Sequence, residues 1–171
     1  MQLRSGKNIA DNIELCSDLI RQAADAGARF IQTPEMTNVL VRSRDELMER
    51  IAGEDEDMTV ARLRKLAEEL GVWIHIGSIA VRFGDKVANR GFLLSPEGRI
   101  AARYSKIHMF DVDLPNGESW RESATYEPGT KTVIAELPWA RLGMAICYDV
   151  RFPAIFREQA RQGAEILSAP A

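Results

Sequence analysis

The fold of this chain is decided by residues 142–153, which run LGMAICYDVRFP. Their first half is small and apolar, which predicts a strand over 142–147, and Pro153 is suited to begin a helix over 153–162. Cys147 therefore ends a strand and precedes a turn into a helix. A thiol in that position is exposed at the edge of a sheet, close to peptide N–H groups that lower the pKa of a thiol and bind an oxyanion. Cys147 is a candidate nucleophile, and a buried apolar role is the alternative.

Outward from this stretch, helical and strand patterns alternate along the chain. Apolar residues spaced by three and four predict an amphipathic helix over 8–26, capped by Asn8 and ended by Gly27. Turns at 84–85 and 96–98 join three predicted strands as hairpins. This order of elements predicts an α/β fold. The other predicted elements are a strand at 29–33, a helical stretch in two pieces over 45–70, strands at 72–81, 91–95 and 100–104, a loop without periodicity at 105–130, and strands at 131–136 and 165–168.

Two charged residues follow predicted strands. Glu35 comes after the strand at 29–33 and Lys106 after the strand at 100–104, so both are expected at the same sheet edge as Cys147. A carboxylate there takes the thiol proton and returns it to a leaving amine, and an ammonium stabilises the oxyanion of a tetrahedral intermediate. Each residue taken singly is equally a surface charge. The three together predict a hydrolytic site with a thiol nucleophile.

The histidines and the second cysteine have simpler interpretations. His75 alternates with isoleucines in a strand pattern, so we expect a structural role. Cys16 lies on the apolar face of the first helix and is expected in the core. His108, at the start of the long loop, is a candidate supporting group beside the site. A metal site formed by His108, Asp111 and Asp113 is an alternative.

Three segments of the chain resemble the signature segments of the nitrilase superfamily, the carbon–nitrogen hydrolases. They are TPE at 33–35, YSKIHMFD at 104–111 and GMAICYDVRFP at 143–153. The resemblance implies an αββα sandwich with a triad in which Glu35 is general base and acid, Lys106 stabilises the oxyanion and Cys147 is the nucleophile. It also implies a second glutamate, at Glu122, which orients the lysine and helps to position the substrate.

By the same resemblance, the reaction is hydrolysis of a non-peptide C–N bond in a small carboxylic amide. Cys147 attacks the amide carbonyl, ammonia leaves, and water releases the acid from the thioester, while the Tyr148 N–H shares the oxyanion with Lys106. The wording KIHMFDVD at 106–113 resembles the Nit-type amidases, which act on ω-amides or on deaminated glutathione. Arg151 is a candidate partner for a substrate carboxylate, or a member of a structural salt bridge. No cofactor or metal is implied.

Other functions stay open at this point. A carbamoylase or a nitrilase of the same superfamily is the nearest alternative. A non-catalytic remnant is a different class, suggested by the abrupt ends of the pattern, because barely a strand precedes the first helix and an apolar strand ends the chain. The pattern predicts a domain that is incomplete at its C-terminus and slightly at its N-terminus. The resemblance to the family implies a homo-oligomer in the full-length form. A redox sensor that uses Cys147 is a third hypothesis.

Composition excludes several further classes. The 171 residues are 46% hydrophobic and 27% charged, which is typical of one globular domain over 1–171 and not of a disordered chain. A net charge of −3 without a basic cluster argues against nucleic acid. No apolar run approaches the roughly 18–20 residues that span a bilayer, and no signal peptide pattern is present, so the cytoplasm is expected. Two cysteines outside a CxxC pair predict neither a disulfide framework nor structural zinc.

Overall fold

Four α-helices and nine strands make up the computed structural model, which describes residues 1–171. The helices are α1 (Ile9–Asp25), α2 (Arg44–Arg50), α3 (Met58–Leu70) and α4 (Pro153–Arg161). The strands are β1 (Phe30–Gln32), β2 (Trp73–Phe83), β3 (Lys86–Leu94), β4 (Ile100–Ser105), β5 (Asp111–Asp113), β6 (Ser119–Arg121), β7 (Val133–Leu137), β8 (Ala140–Met144) and β9 (Ile166–Ser168). Three 3₁₀ helices lie at Glu54–Glu56, Glu122–Ala124 and Cys147–Arg151.

Single capping residues set the helix ends. The Asn8 side chain accepts a backbone N–H at the start of α1, and the buried Asp57 side chain accepts two at the start of α3. Helix α3 ends at Gly71, whose φ of 64° lies in the left-handed region that glycine favours. The predicted first helix is confirmed. The helical stretch over 45–70 is in two pieces as predicted, although a 3₁₀ helix separates α2 from α3.

The first sheet has the strand order β1-β2-β3-β4. Strands β1 and β2 are parallel, and antiparallel hairpins join β2 to β3 and β3 to β4, as the turn residues predicted. The strand predicted at 91–95 is longer than expected and begins at Lys86. The polar residues of that extension hide the strand pattern, yet Asn89 pairs with Ala80 of β2 inside the sheet.

The second sheet has the order β7-β8-β9, with β7 and β8 antiparallel and β8 and β9 parallel. The strand predicted over 142–147 ends earlier, at Met144. It stops because the Asp149 side chain accepts the Ile146 N–H, and the chain then turns into the 3₁₀ helix that starts at Cys147. Helix α4 follows from Pro153 as predicted.

The two sheets pack face to face between two layers of helices. Helices α1 and α3 cover the outer face of the first sheet. Its inner face packs on the second sheet, where Leu93 and Tyr104 join Leu142 and Met144 in one apolar cluster. Helix α4 lies against β8, and Gln159 Nε2 donates to the Met144 carbonyl oxygen at 2.7 Å. The layers follow the order αββα, so the predicted sandwich is confirmed.

The long loop predicted over 105–130 contains a hairpin of its own. Strands β5 and β6 pair antiparallel, with Asp113 opposite Ser119. Asp113 accepts hydrogen bonds from Ser119 and, on both oxygens, from Arg121. Two of the three cross-strand pairs are polar and only the Val112–Trp120 pair is apolar, so each three-residue strand is too short for its alternation to signal a strand in the sequence.

None of the four α-helices is both long enough and apolar enough to cross a membrane.

Candidate active site

Four of the predicted site residues meet around one cavity of about 890 Å³. Glu35 follows β1, Lys106 follows β4, Glu122 begins a 3₁₀ helix and Cys147 follows β8. The first three come from the first sheet and its long loop, and Cys147 comes from the second sheet. The cavity therefore lies where the two sheets and the loop converge. The three residues meet as predicted, but the expectation of one shared sheet edge is wrong, because Cys147 follows a strand of the second sheet.

Lys106 is the centre of the site and is only 2% exposed. Its Nζ lies 3.0 Å from Glu35 Oε1 and 3.0 Å from both carboxylate oxygens of Glu122. Burial disfavours the charged form of the amine, but the two carboxylates outweigh burial and raise the pKa of Lys106 above its usual range. Lys106 is therefore held as an ammonium.

The two glutamates differ in how their oxygens are used. Both oxygens of Glu122 are occupied, because Lys106 contacts each and the Phe110 N–H donates to Oε2 at 2.6 Å. Only Oε1 of Glu35 accepts hydrogen bonds, from Lys106 and from Asn89 Nδ2 at 2.8 Å. One oxygen of Glu35 stays free for proton transfer.

Asn89 is a site residue that the sequence did not reveal. It is buried in β3, and its amide also lies 3.5 Å from Glu122 Oε1, so it spans both glutamates. Its Oδ1 has no hydrogen-bond partner. A polar residue at a buried strand position is the one signal that could have identified it.

Cys147 has an unusual backbone, with a φ of 46°. Its N–H donates to the Pro170 carbonyl oxygen at 2.8 Å. Burial and the negative charge of Glu35 raise the pKa of the thiol to about 11, although Lys106 opposes them. The expectation that peptide N–H groups lower this pKa is therefore wrong. Burial is the largest cause and the Glu35 carboxylate adds to it, so the thiol is held in its protonated form.

The residues after Cys147 lie at the edge of the site. The Tyr148 N–H has no hydrogen-bond acceptor, and its ring meets Phe110 edge-on at 5.0 Å between centroids. Arg151 is exposed, forms no ion pair and is not part of the cavity wall. The alternative of a structural salt bridge at Arg151 is therefore wrong.

Other cations line the cavity instead. Arg121 is paired with Asp113, and Lys7 with Glu46. Arg42 lines the cavity without a carboxylate within 4 Å. The apolar part of the wall is formed by Met36, Leu40, Val41, Phe110, Trp120 and Tyr126.

His108 pairs with Asp149 and not with the loop carboxylates. Its Nδ1 lies 2.7 Å from Asp149 Oδ1, and its ring stacks on Phe152 at 3.7 Å. Asp111 and Asp113 are bound by Ser123 and Arg121, respectively. No group of three or more histidine, cysteine or acidic side chains is placed to hold a metal ion, so the alternative of a metal site on the loop is not formed.

Cys16 and His75 are both buried away from the cavity. Cys16 is fully buried in α1, and burial raises the pKa of its thiol to about 12. His75 is 1% exposed, its Nδ1 lies 3.0 Å from Gln32 Oε1, and burial lowers the pKa of its ring to about 4. Their predicted structural roles agree with these positions.

An αββα sandwich with a thiol, an ammonium and two carboxylates around one cavity defines a class of α/β protein whose chemistry suits acyl transfer through sulfur. Comparison with known proteins makes the class specific. The chain belongs to the carbon-nitrogen hydrolase family, whose model matches residues 1–171. The resemblance to the nitrilase superfamily is confirmed.

The similar proteins include amidases. The chain is 39% identical over 176 residues to deaminated glutathione amidase of Yersinia enterocolitica, covering 100% of this chain and 60% of the relative. It is 32% identical over 172 residues to omega-amidase NIT2 of Homo sapiens, and the match covers 99% of this chain and 61% of that relative. The chain thus spans about 60% of the length of these curated relatives.

Solved structures share the fold. The C. elegans NitFhit protein superposes with a TM-score of 0.88 at 25% identity, covering 99% of this chain and 42% of that one. Saccharomyces cerevisiae Nit3, a member of the nitrilase superfamily, superposes with a TM-score of 0.82 at 25% identity. The match covers 97% of this chain and 60% of Nit3.

Proposed function

We propose that this chain carries the site of an amidase that cleaves a non-peptide C–N bond of a small carboxylic amide and releases ammonia. The observation that supports this function is the convergence of Glu35, Lys106, Glu122 and Cys147 on one cavity. Deaminated glutathione amidase and omega-amidase are the names of its relatives, and the family hydrolyses carbon–nitrogen bonds.

The first half of the reaction makes a thioester. Glu35 takes the Cys147 proton as sulfur forms a bond to the amide carbonyl carbon, and the C=O electron pair moves onto oxygen. Lys106 and the Tyr148 N–H stabilise this oxyanion. When the tetrahedral intermediate collapses, the C–N bond breaks and Glu35 returns its proton to the leaving ammonia. The raised pKa of the thiol supports this order, because a neutral thiol needs a base in contact with it.

The second half of the reaction releases the acid. Glu35 takes a proton from water, the resulting hydroxide attacks the thioester carbonyl, and the C–S bond breaks. The sulfur recovers its proton, so the sum is amide plus water giving acid plus ammonia. Glu122 orients Lys106 throughout, since both of its oxygens are occupied and neither is free to carry a proton.

We propose that the substrate carries a carboxylate in addition to its amide, as an ω-amide of a dicarboxylic acid does. Two arginines are candidates to bind it. Arg151 is four residues beyond the nucleophile and has no acidic partner, and Arg42 lines the cavity, also without one. A guanidinium binds a carboxylate through two parallel hydrogen bonds.

The substitutions Arg42→Gln and Arg151→Gln identify the arginine that binds the carboxylate. With glutaramate as substrate, replacing the arginine that binds the carboxylate is expected to raise KM by about 10-fold or more. This factor corresponds to the binding free energy of one hydrogen-bonded charge pair. The same substitution leaves KM for butyramide, which lacks the carboxylate, within about twofold. Unchanged KM in both variants would argue against a carboxylate-bearing substrate.

The function is tested by ammonia release from glutaramate. The parent chain is expected to release ammonia, and Cys147→Ala is expected to release none above background. A Cys16→Ala variant is the matched control, because it removes the other thiol of the chain and is expected to keep the activity. Offering carbamoyl compounds and nitriles in parallel separates the alternatives, since only a carbamoyl group yields carbon dioxide with ammonia. A Cys147→Ala variant as active as the parent would refute the proposal.

We further infer that the full-length form is a cytoplasmic homo-oligomer in which residues 1–171 belong to one domain. Two free cysteines support a reducing compartment. Exposed apolar side chains on the second sheet and beside the nucleophile turn support a subunit interface: Trp139, Val150, Ile166 and Leu167. Light scattering on the purified full-length protein measures the oligomeric state directly. A monomer at micromolar protein concentration would contradict this inference.

A further inference from the structure

Asp149 is a fully buried carboxylate that faces only hydrogen-bond donors. Its Oδ2 accepts the Tyr104 hydroxyl at 2.6 Å and the Ile146 N–H at 2.9 Å. Its Oδ1 accepts the His108 N–H at 3.0 Å and lies 2.7 Å from His108 Nδ1. No lysine or arginine pairs with it. Burying a carboxylate costs free energy unless both of its oxygens are hydrogen-bonded. The four contacts therefore hold Asp149 in one position.

These contacts join the two halves of the site. Tyr104 lies in β4 and His108 follows two residues after Lys106, whereas Ile146 immediately precedes Cys147. Asp149 is thus the hydrogen-bonded link between the segment that carries the ammonium and the turn that carries the thiol. The two segments belong to different sheets, and the His108 ring is fixed further by its stack on Phe152.

The turn at Cys147 needs such a link. With a φ of 46°, Cys147 occupies the left-handed region that residues with a side chain rarely adopt. A conformation of this kind persists only when surrounding contacts define it. The contact of Asp149 with the Ile146 N–H and the bond from the Asp149 N–H to the Ile146 carbonyl oxygen close the turn from the side chain and from the backbone.

We propose that Asp149 is a positioning residue that holds the Cys147 turn against the Lys106 segment, so that the thiol faces Glu35. The role rests on the proposed amidase reaction for its effect on turnover, but the placement of the thiol is measurable without any substrate. Asp149 acts through Cys147 and Lys106 and touches neither the substrate nor the reacting atoms.

The placement of the thiol controls its reactivity toward iodoacetamide. Glu35 and burial hold the Cys147 thiol neutral, whereas Lys106 favours the thiolate. If the turn relaxes, the sulfur moves away from Glu35 toward solvent, and a larger fraction is thiolate at pH 8. Alkylation of Cys147 then becomes faster while amide hydrolysis becomes slower. A variant that is merely unfolded also exposes Cys16, which is fully buried in α1 and therefore reports global unfolding in the same sample.

The experiment compares the full chain with Asp149→Asn, Tyr104→Phe and Asp57→Asn. Each oxygen of Asp149 accepts a backbone N–H, one from His108 and one from Ile146. In Asp149→Asn, the side-chain NH2 therefore replaces one of these acceptors in either orientation of the amide, and one of the two hydrogen bonds is lost. Tyr104→Phe removes one donor and keeps the carboxylate. Asp57→Asn is the matched control, because Asp57 is also a buried carboxylate that accepts two backbone N–H groups, at α3 and away from the cavity. Alkylation of each cysteine at pH 8 is followed by peptide mass mapping, and ammonia release from glutaramate gives kcat and KM.

In Asp149→Asn we expect Cys147 alkylation to rise about 10-fold or more with Cys16 unreactive, and kcat to fall about 100-fold with KM within about threefold. Tyr104→Phe is expected to change both rates in the same directions by a smaller factor, and Asp57→Asn to match the parent. If Asp149→Asn does not fold, the alkylation rate of Cys147 in Tyr104→Phe is the test of the proposal.

The proposal is overturned if folded Asp149→Asn, or Tyr104→Phe in its place, alkylates Cys147 at the parent rate. It is also overturned if Cys16 and Cys147 of Tyr104→Phe become reactive together. If no variant and no parent sample releases ammonia, the proposed function fails, but the alkylation rates still test the placement of the thiol.

Discussion

At the scale of single residues, the site uses one ammonium to separate two carboxylates with different tasks. Both oxygens of Glu122 accept hydrogen bonds, from Lys106 and from the Phe110 N–H, while one oxygen of Glu35 stays free. The Glu35 charge also raises the pKa of the Cys147 thiol, so the proposed base and the proposed nucleophile are coupled electrostatically. This coupling leads to the first prediction.

Replacing Glu35 with glutamine removes a negative charge beside the thiol and keeps the shape of the side chain. Since that charge raises the Cys147 pKa, its loss is expected to lower the pKa below about 11, because burial remains but Lys106 then acts with less opposition. Hydrolysis is expected to fall by about 10²–10⁴-fold with the loss of the base. The pH profile of Cys147 alkylation measures the first effect, with the exposed Glu69→Gln as control. A profile equal to that of the parent would show that Glu35 does not face the thiol.

The motif residues of the site were predictable from the sequence, and their supporting residues were not. Glu35, Lys106 and Cys147 each follow a strand, which is a local pattern. Asn89 and Asp149 act through contacts between residues that are far apart in the chain, and nothing in their neighbourhoods indicates those contacts. The pKa of Cys147 was predicted in the wrong direction for the same reason, since burial by the surrounding fold and the charge of Glu35 from another strand both raise it.

At the scale of elements, β2 determines where the Glu35 segment lies. Gly77 in β2 lies directly under the chain that leads to Glu35, and a Cβ there would be 2.2 Å from the Thr33 carbonyl oxygen and 2.5 Å from that of Pro34. Both neighbours are backbone atoms, which cannot move aside as the end of a side chain does. The strand therefore needs a glycine for this close approach.

We therefore expect Gly77→Ala to destabilise the fold by about 1–3 kcal/mol, the usual cost of overpacking, and to lower the rate of hydrolysis by displacing Glu35. Gly53→Ala is the matched control, since nothing lies within 4 Å of its Cβ position and its φ is not in the left-handed region. Urea denaturation of both variants measures the free energy of unfolding. Equal stability of the two would contradict the close contact at β2.

Elements with strong periodicity were predicted well, and polar ones were not. Helix α1, the two hairpins of the first sheet and helix α4 follow from apolar spacing, capping residues and turn residues. The hairpin of β5 and β6 was missed because each strand has only three residues and a single apolar one, and its other contacts are an ion pair and a hydroxyl contact. The N-terminal part of β3 was missed because its polar residues interrupt the apolar pattern: Asn89 contacts Glu35 in the site, while Lys86 and Arg90 pair with Glu127 and Glu54.

At the scale of the whole molecule, a buried histidine couples stability to pH. His75 lies between the layers, and burial lowers its pKa from 6.5 to about 4. Between these values the unfolded chain binds a proton that the folded chain does not, so the free energy of unfolding rises with pH across this window. The contribution of His75 amounts to about 3 kcal/mol between pH 4 and pH 6.5.

We expect urea denaturation of the parent chain to show this loss of stability on acidification, and His75→Gln to remove that part of it. The glutamine can keep a hydrogen bond to Gln32 but binds no proton in this range. Because carboxylates also titrate below pH 5, the difference between parent and variant is the quantity to compare. Parallel pH dependences for the two proteins would show that His75 titrates normally in the folded state.

The order of layers could be predicted for the whole molecule only through the family resemblance. Element order alone indicated an α/β fold, but periodicity does not say which face of a sheet meets which. That information lies in contacts such as Leu93 and Tyr104 of the first sheet against Leu142 of the second.

The central claim is that Cys147 forms a thioester with the acyl group of an amide. Its most direct test is acid quenching of the full chain during turnover of glutaramate, followed by mass mapping of the cysteine peptides. We expect one acyl group on the Cys147 peptide, none on the Cys16 peptide, and one ammonia released for each acyl group formed. Ammonia release with Cys147 unmodified, and at the same rate in Cys147→Ala, would contradict thioester formation.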